Sequence, residues 1–252
     1  QYAHLYPYLN SKLKFITVHD LIPLIFQKKL NKNPKLFKLS LNNLKFFTKV
    51  FAISQNTKKD IIKYTDCPAD KIEVIMRSIE PFFNNDPIDK KTIADNYNVP
   101  INKKKILISG NIFYKNNYTS YKILEKLIEI DKNIIFIHIG SNKKKNTIPK
   151  KIVNNIFLIP FVEREELPNI YKLADILLFP SIYEGFGLPV LESMSCGTPV
   201  VCSNNSSLPE IIENAALTNN HNDIDGFVEN ILKLLNNENF YLLKCQEGLD
   251  RS

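Results

Sequence analysis

Short apolar runs alternate with longer amphipathic stretches along most of the chain. Runs bounded by polar or turn residues indicate buried strands, and the stretches between them carry the apolar spacing of helices. This alternation is typical of βα units arranged around a mainly parallel sheet. The sequence therefore predicts an α/β fold.

The amino-terminal part of the chain predicts few strands. Residues 14–18, 50–53 and 72–76 are candidate strands, residues 34–47 form a mixed helical region, and Ser54 is a candidate N-cap for a helix running towards Tyr64. Three strands are fewer than an independent sheet usually contains. We therefore expect an incomplete amino-terminal domain, spanning residues 1–85.

Prolines 81, 87 and 100 punctuate a polar segment, which predicts a linker within residues 81–100. A second βα series follows in residues 86–252. Its predicted strands are 106–109, 134–139, 156–159, 176–179, 200–203 and 215–217. Its predicted helices are 120–130, 163–174, 188–196, 207–213, 224–235 and a last one from Phe240. This series predicts a complete, doubly wound carboxy-terminal domain.

The formal net charge of +7 comes largely from lysine, with clusters at residues 103–105, 143–145 and 150–151. Such clusters can attract nucleic acid or an anionic membrane surface. They are short and lack interleaved aromatic residues, so solvated lysines in loops and at strand edges are the favoured interpretation. No nucleic-acid partner is expected, and peripheral membrane contact is left open.

The four cysteines and four histidines are dispersed and form no metal-binding or CxxC pattern. The cysteines are expected to be reduced and mostly in the core, and no protein-ligated metal is expected. No apolar run is long enough to span a membrane, and the first residues do not resemble a signal peptide. A cytoplasmic location is the resulting expectation.

A glycine-bearing loop follows the predicted strand 176–179 and leads into a helix that begins at Leu188. In open α/β sheets, ligands bind outside the carboxyl ends of the strands, where main-chain amides and helix amino termini attract anions. Gly185 and Gly187 permit close approach of the backbone, and Pro189 suits the first helical turn. The loop is therefore a candidate diphosphate site.

Two glutamates flank this loop. Glu192 lies beside Leu191 and Met194 in the predicted helix, where an ionised carboxylate is costly without a partner, and two vicinal ribose hydroxyls would supply one. Glu184 can accept hydrogen bonds from sugar hydroxyls or stabilise positive charge at a sugar carbon. A capping or surface role explains either glutamate alone equally well, whereas the pair with the glycines favours a ligand site.

The spacing of Glu184 and Glu192, with seven residues between them, resembles the E-x7-E motif of retaining GT-B glycosyltransferases of family 4, the glycosyl transferases group 1. Residues 167–180, 197–201 and 206–210 also resemble that family. The similarity extends from His19 to about Leu249. It implies two Rossmann-like domains that face a cleft holding the donor and the acceptor.

The resemblance also assigns roles to residues. It makes Glu192 the ribose ligand and Glu184 the contact to donor-sugar hydroxyls. The residues implied to line the phosphates and sugar are Gly185, Phe186, Gly187 and Leu188.

Two further segments match the family. Gly110 and Lys115 match its glycine turn and diphosphate-binding lysine, although Asn111 stands where many relatives have arginine. Outside the motif, Lys115 would be interpreted as one more surface lysine. His19 and Asp20 resemble the histidine-aspartate segment that belongs to the active site on the acceptor side. A lone histidine at a strand end is otherwise more often a structural hydrogen-bonding residue.

The activity that the resemblance implies is transfer of a mannose-, glucose- or rhamnose-type hexose from a nucleoside-diphosphate sugar to a saccharide or lipid-linked acceptor. The anomeric configuration is retained, the leaving phosphate helps to deprotonate the acceptor, and no cofactor or essential metal is needed. The alternative is a non-catalytic nucleotide-sugar-binding remnant. The family's opening βα units, its glycine near Met76 and its last helix have no counterpart here, so we expect a chain truncated at both ends.

Overall fold

The computed structural model describes residues 12–30, 35–140 and 148–252, which fall into two compact units. The first unit extends to Ser78 and also includes Tyr183–Phe186, and the second comprises Ile79–Ile182 and Gly187–Ser252. The division lies before the predicted boundary at residues 85 and 86, because Phe83 is buried in a core cluster of the second unit. His4 and the lysine cluster 143–145 lie outside the described residues.

Within residues 12–30 and 35–78, the first unit contains three parallel strands in the order β1-β2-β3. These strands are β1 (Phe15–Val18), β2 (Lys49–Ala52) and β3 (Ile72–Val74). The described helices are α1 (Ile22–Ile25), α2 (Gln27–Leu30), α3 (Lys35–Asn42) and α4 (Gln55–Tyr64), with 3-10 turns at Leu44–Phe46 and Ala69–Lys71. The predicted helical region 34–47 thus contains α3 and the first 3-10 turn.

Ser54 begins α4 as the sequence predicts. The Thr57 amide donates to Ser54 Oγ at 3.0 Å, and the extended backbone of Ser54 (φ −155°, ψ 160°) is typical of an N-cap residue. The buried residues Thr57 and Ile61 face inwards from this helix. The cap and the inward face fix where the polar residues of α4 lie.

The second unit is a doubly wound domain, as predicted. Its described strands are β4 (Lys104–Ser109), β5 (Ile134–Ile139), β6 (Ile156–Ile159), β7 (Ile176–Phe179), β8 (Val200–Ser203) and β9 (Leu217–Asn219). They pair in parallel in the order β6-β5-β4-β7-β8-β9, which is the Rossmann order 3-2-1-4-5-6. The last strand lies two residues beyond its predicted position.

The helices of the second unit cover both faces of its sheet. The α-helices in the described part of this unit are α5 (Lys90–Asn96), α6 (Asn117–Ile130), α7 (Leu167–Leu173), α8 (Leu188–Ser195), α9 (Leu208–Ile212), α10 (Ile224–Asn236) and α11 (Glu238–Arg251). Leu107 and Leu177 belong to one core cluster, whereas Ile106 and Leu178 belong to another. Burial on both faces explains why these strands are continuous apolar runs.

Helix α5 corrects the interpretation of residues 81–100 as a linker. Ala94 and Val99 are buried in the same cluster as Phe83, and α5 packs against α7. Asp89 caps the helix by accepting hydrogen bonds from the amides of Lys91 and Thr92. The prolines of this segment therefore delimit a short packed helix rather than a flexible connection.

The lysine cluster 103–105 is only partly solvated, in contrast to the prediction. Lys105 is 5% exposed, and its Nζ lies 3.7 Å from the Asp175 carboxylate and 3.1 Å from the carbonyl oxygen of Ile101. Burial lowers the pKa of Lys105 and the charge of Asp175 opposes that shift. No helix in the described ranges is both long enough and apolar enough to cross a membrane.

Strand β4 lies between β5 and β7, so the chain winds in opposite directions on its two sides. The loops that follow β4 and β7 leave the same edge of the sheet, because all these strands are parallel. A crevice between such loops is where open α/β sheets bind ligands. We call this place the switch point, and it contains Gly110, Lys115 and Gly187.

Candidate functional site

The loop after β4 brings Gly110 and Lys115 together. Gly110 has a φ of +89°, and a Cβ atom there would lie 2.9 Å from Lys115 Cγ, so the lysine side chain crosses the glycine backbone closely. Lys115 Nζ lies 4.5 Å from the centroid of the Phe179 ring at the end of β7. The structure therefore places the cation of this predicted pair at the switch point.

The carbonyl group of Gly110 is held by two side chains. His138 Nε2 lies 2.9 Å and Asn117 Nδ2 lies 3.0 Å from its oxygen. Because a carbonyl oxygen only accepts, His138 Nε2 carries the proton and Nδ1 accepts from the Tyr121 hydroxyl at 3.1 Å. Burial lowers the pKa of His138 despite the opposing bond to Gly110, so this histidine is a neutral support of the loop.

Hydrogen bonds join the loops after β4 and β7. The carbonyl oxygen of Tyr114 accepts from the Ile182 amide at 2.7 Å and from Ser181 Oγ at 3.0 Å. Asn116 Nδ2 donates to the carbonyl oxygen of Pro180 at 3.0 Å. These bonds tie residues 180–182, at the start of the loop after β7, to the loop after β4 within the second unit.

Gly187 turns the second loop into α8. Its φ of +115° favours glycine, and a Cβ atom there would lie 2.7 Å from Leu208 Cδ2. The carbonyl oxygen of Gly187 accepts from the Val190 amide at 3.0 Å, so the first turn of α8 forms directly after the glycine. Leu188, the first residue of the helix, is half-buried at this position.

Glu192 is buried in α8, and protein groups satisfy both of its carboxylate oxygens. Arg164 Nη1 donates to Oε1 at 2.6 Å and the Tyr171 hydroxyl donates to Oε2 at 2.8 Å, while the residue is only 2% exposed. The partner that a buried carboxylate needs is therefore supplied by Arg164 and Tyr171, and the ribose role of Glu192 stays a prediction. The carboxylate is held in one orientation without a ligand.

Arg164 bridges two carboxylates. Its Nη2 donates to Glu80 at 2.7 Å, and the centre of the guanidinium group lies 4.6 Å from the Phe83 ring centroid. Burial would lower the pKa of Arg164, but the hydrogen bonds to Glu80 and Glu192 outweigh it and raise the pKa. Burial raises the pKa of Tyr171, and the charge of Glu192 raises it further, so the hydroxyl remains a donor.

The segment Tyr183–Phe186 belongs to the first unit rather than to the second, where the sequence placed it. The carbonyl oxygen of Gly185 accepts from Ser54 Oγ at 2.7 Å and from Thr57 Oγ1 at 3.2 Å. A Cβ atom at Gly185 would lie 2.3 Å from the carbonyl oxygen of His19, so only glycine fits. Glu184 and Phe186 are both buried, at 7% and 5% exposure.

The side chain of Tyr183 provides a second anchor for this segment. Its hydroxyl donates a hydrogen bond to Asp60 Oδ2 and accepts from Asn56 Nδ2 at 2.9 Å. The Tyr183 ring packs edge-on against Phe26, with 5.9 Å between centroids. Burial raises the pKa of Asp60 to about 6, against the lowering effects of Lys63 and Asn56.

His19 and Asp20 lie against Gly185 through their main chain and Cβ atoms. Asp20 Oδ1 accepts from the Ile22 amide at 2.9 Å, which supports the first turn of α1. Burial raises the pKa of Asp20, and the bond to Ile22 and the charge of His19 oppose that shift. The exposed side chain of His19 and the carboxylate of Asp20 retain their acceptor-side roles as predictions.

Sequence reasoning missed several residues that support the two glutamates. Asn56 and Asp60, spaced four apart on α4, were a signal for a shared polar face. Arg164 is the single basic residue in the acidic run 163–166 that precedes α7. Among residues 12–30, 35–140 and 148–252, no group of three His, Cys, Asp or Glu side chains is placed to hold a metal ion.

Comparisons with known proteins find one family and several relatives. The family described as glycosyl transferases group 1 matches residues 89–246. O-antigen chain mannosyltransferase B of Escherichia coli is 46% identical over 89 residues, or 35% of this chain and 23% of that protein. O-antigen chain mannosyltransferase RfbU of Salmonella typhimurium is 27% identical over 227 residues, or 87% of this chain and 60% of that protein.

The chain spans less than two thirds of the length of both mannosyltransferases. Among solved structures, Anabaena Alr3699/HepE in complex with UDP-glucose matches with a TM-score of 0.82 and 15% identity, covering 98% of this chain and 69% of that one. WaaG, a glycosyltransferase involved in lipopolysaccharide biosynthesis, matches with a TM-score of 0.79 and 15% identity, covering 98% and 75%. These likenesses confirm the predicted α/β fold of the GT-B class.

Proposed function

Because the chain belongs to the glycosyl transferases group 1 family, we propose that it serves a glycosyltransferase reaction with a nucleoside-diphosphate hexose as donor. The acceptor is a saccharide or a lipid-linked saccharide, and the anomeric configuration is retained. Mannose is the favoured hexose, since two relatives are named as mannosyltransferases. The observation that carries the proposal is the buried, oriented carboxylate of Glu192 in the helix that follows the switch-point loop.

Glu192 is the ribose ligand in this proposal. An ionised carboxylate offers about four acceptor positions, of which Arg164 and Tyr171 occupy one on each oxygen. Capacity remains for two vicinal ribose hydroxyls. The side chain of Arg164, which is 36% exposed, lies beside the carboxylate, and in this proposal the nucleoside approaches Glu192 from that side.

The diphosphate binds at the switch point in this proposal. Lys115 supplies a positive charge, and Gly187 starts a helix whose amino-terminal amides favour an anion. Gly110 lets the lysine side chain cross the backbone on its way to the phosphates. Stabilising charge on the departing diphosphate is the main electrostatic contribution to such a transfer, and the proposal requires no metal.

Glu184 contacts the hydroxyls of the donor sugar, and Gly185, Phe186 and Leu188 complete the lining of the sugar and phosphates. His19 and Asp20 serve the acceptor side of the reaction. The leaving phosphate assists deprotonation of the acceptor, so the protein contributes positioning and electrostatic stabilisation. No covalent sugar-enzyme intermediate is proposed.

A thermal-shift screen tests the donor site. GDP, UDP, GDP-mannose, UDP-glucose and a dTDP-linked rhamnose are added to the wild-type chain, to Glu192→Gln and to the control Glu129→Gln on α6. A ligand at about 100 times its Kd stabilises by about 2.7 kcal/mol. The thermal unfolding midpoint then rises by roughly 5–10 °C in a protein of this size.

We expect GDP-mannose to stabilise the wild type and the Glu129 variant, and Glu192→Gln to lose most of the shift from every nucleotide. An unchanged shift in Glu192→Gln refutes the ribose role. Retention is tested separately by 1H NMR of the product formed on a mannoside acceptor, where a β-anomer from an α-linked donor contradicts it.

A further inference from the structure

The loop that carries Glu184 is anchored on both sides of that residue. Before it, the Tyr183 hydroxyl binds Asp60 and Asn56. After it, the carbonyl oxygen of Gly185 accepts from Ser54 Oγ at 2.7 Å. Glu184 therefore sits between two fixed points, both of them held by α4.

The amino-terminal half of α4 is built to make these contacts. Ser54 caps the helix and binds Gly185 with the same hydroxyl group, and Thr57 in the first turn adds a second donor to that carbonyl. Asn56 Nδ2 in the first turn lies 3.2 Å from Oδ2 of Asp60, one turn further on, so the amide steadies the carboxylate that accepts the hydrogen bond from the Tyr183 hydroxyl. The amino-terminal half of α4 thus provides several hydrogen-bonding side chains to the segment Tyr183–Phe186.

Main-chain packing restricts the same segment. Gly185 approaches the backbone of His19 so closely that a methyl group would not fit, and Phe186 is 5% exposed. The Tyr183 ring is braced by Phe26. With both neighbours fixed, the backbone of Glu184 has little freedom, and its side chain leaves the backbone from one defined position.

We propose that Asp60 is a positioning residue which, through the Tyr183 hydroxyl, fixes the segment Tyr183–Phe186 and so places Glu184 for the donor sugar. Its effect on sugar binding rests on the proposed function, whereas its effect on the segment does not. Because Arg164 and Tyr171 hold Glu192 and α4 does not, loss of the Asp60 anchor is expected to affect recognition of the sugar and to leave recognition of the nucleotide intact.

Hydrogen–deuterium exchange measures the anchor directly. The full chain is compared with Asp60→Ala, Asp60→Asn and Tyr183→Phe, and with Asp66→Ala as a matched control, since the Asp66 side chain is 80% exposed. Exchange is followed at the amides of residues 183–186. The Ile182 amide, which donates to Tyr114 in the second unit, is an internal reference that no variant should change.

Asp60→Ala and Tyr183→Phe are expected to speed exchange in residues 183–186 by about 10- to 100-fold, as expected when a bond to a charged group is lost. Asp60→Asn keeps an acceptor for the Tyr183 hydroxyl and should restore protection to within about threefold of wild type. Unchanged exchange in both Asp60→Ala and Tyr183→Phe overturns the proposal, as does an equal effect of Asp66→Ala.

Calorimetric titration with GDP and with GDP-mannose separates positioning from general destabilisation. In Asp60→Ala the affinity for GDP should stay within about twofold of wild type, while the affinity for GDP-mannose falls about tenfold, with rescue by Asp60→Asn. Equal losses for both ligands contradict the positioning role. If the wild type binds neither GDP, GDP-mannose, UDP nor UDP-glucose, the proposed function fails, and the exchange experiment still decides whether Asp60 fixes the segment.

Discussion

Removing the Tyr171 hydroxyl tests how the second unit holds Glu192. Tyr171 and Glu192 are each 2% exposed, and the hydroxyl donates to Oε2 at 2.8 Å. Tyr171→Phe keeps the ring and creates almost no cavity, so the loss is confined to one hydrogen bond to a buried carboxylate. Such bonds contribute about 1.5–3 kcal/mol.

The expected decrease in the free energy of unfolding is therefore about 1.5–3 kcal/mol, or a midpoint lower by roughly 3–12 °C for a chain of this size. Urea unfolding measures this free energy. It is followed by far-ultraviolet circular dichroism, because the chain contains no tryptophan whose fluorescence could report on unfolding. The matched control is Tyr118→Phe on α6, where the side chain is 72% exposed and the change should be within about 0.5 kcal/mol.

A double-mutant cycle with Glu192→Gln assigns the loss to this pair. If the bond operates as described, the coupling energy between the two substitutions should reach at least about 1 kcal/mol. A Tyr171→Phe variant as stable as Tyr118→Phe, or additive effects in the cycle, would refute the reasoning. The thermal-shift screen with nucleotides, repeated on Tyr171→Phe, then tests whether a less well oriented Glu192 carboxylate binds the ribose more weakly.

Two further predictions concern the first unit. Gly185→Ala should destabilise it by about 1–3 kcal/mol, because the new Cβ lies 2.3 Å from the carbonyl oxygen of His19; Gly248→Ala, facing the movable Met194 side chain at 3.3 Å, is the control, and equal effects contradict the close approach. The pKa of Asp60 is about 6 when folded and near 3.8 when unfolded. Between about pH 4 and pH 6 the Asp60 carboxyl group is protonated in the folded state and ionised in the unfolded state. The free energy of unfolding therefore falls as the pH rises through this range. Asp60→Asn should remove that part of the slope in urea titrations; an identical slope refutes it.

The strands of the second unit could be predicted from local pattern with little error. Residues 134–139, 156–159, 176–179 and 200–203 are strands with the predicted bounds. Their side chains are apolar without interruption because helices cover both faces of the sheet. None of the three residues of the edge strand β9 is fully buried, so its apolar signal is weaker and its position was less well predicted.

The local sequence pattern did not predict the packed helix within residues 81–100. The prolines and short apolar runs suggested a linker, yet Phe83, Ala94 and Val99 complete the core beneath α7. Isolated apolar residues are buried here only because a distant helix supplies the other side of the contact. Such burial cannot be seen in a window of neighbouring residues.

For the two glutamates too, some features follow from the sequence and others only from the fold. The spacing of Glu184 and Glu192, the glycines between them and the strand before them are properties of the sequence, and they predict a ligand site at the carboxyl edge of a parallel sheet. Long-range contacts decide what holds each glutamate. Arg164 and Tyr171 reach Glu192 from the segment before β7, whereas α4 holds the loop around Glu184. Hydrogen-bond partners more than 20 residues apart meet only when the chain is folded, so the assignment of the two glutamates to different units could not be predicted from their seven-residue spacing.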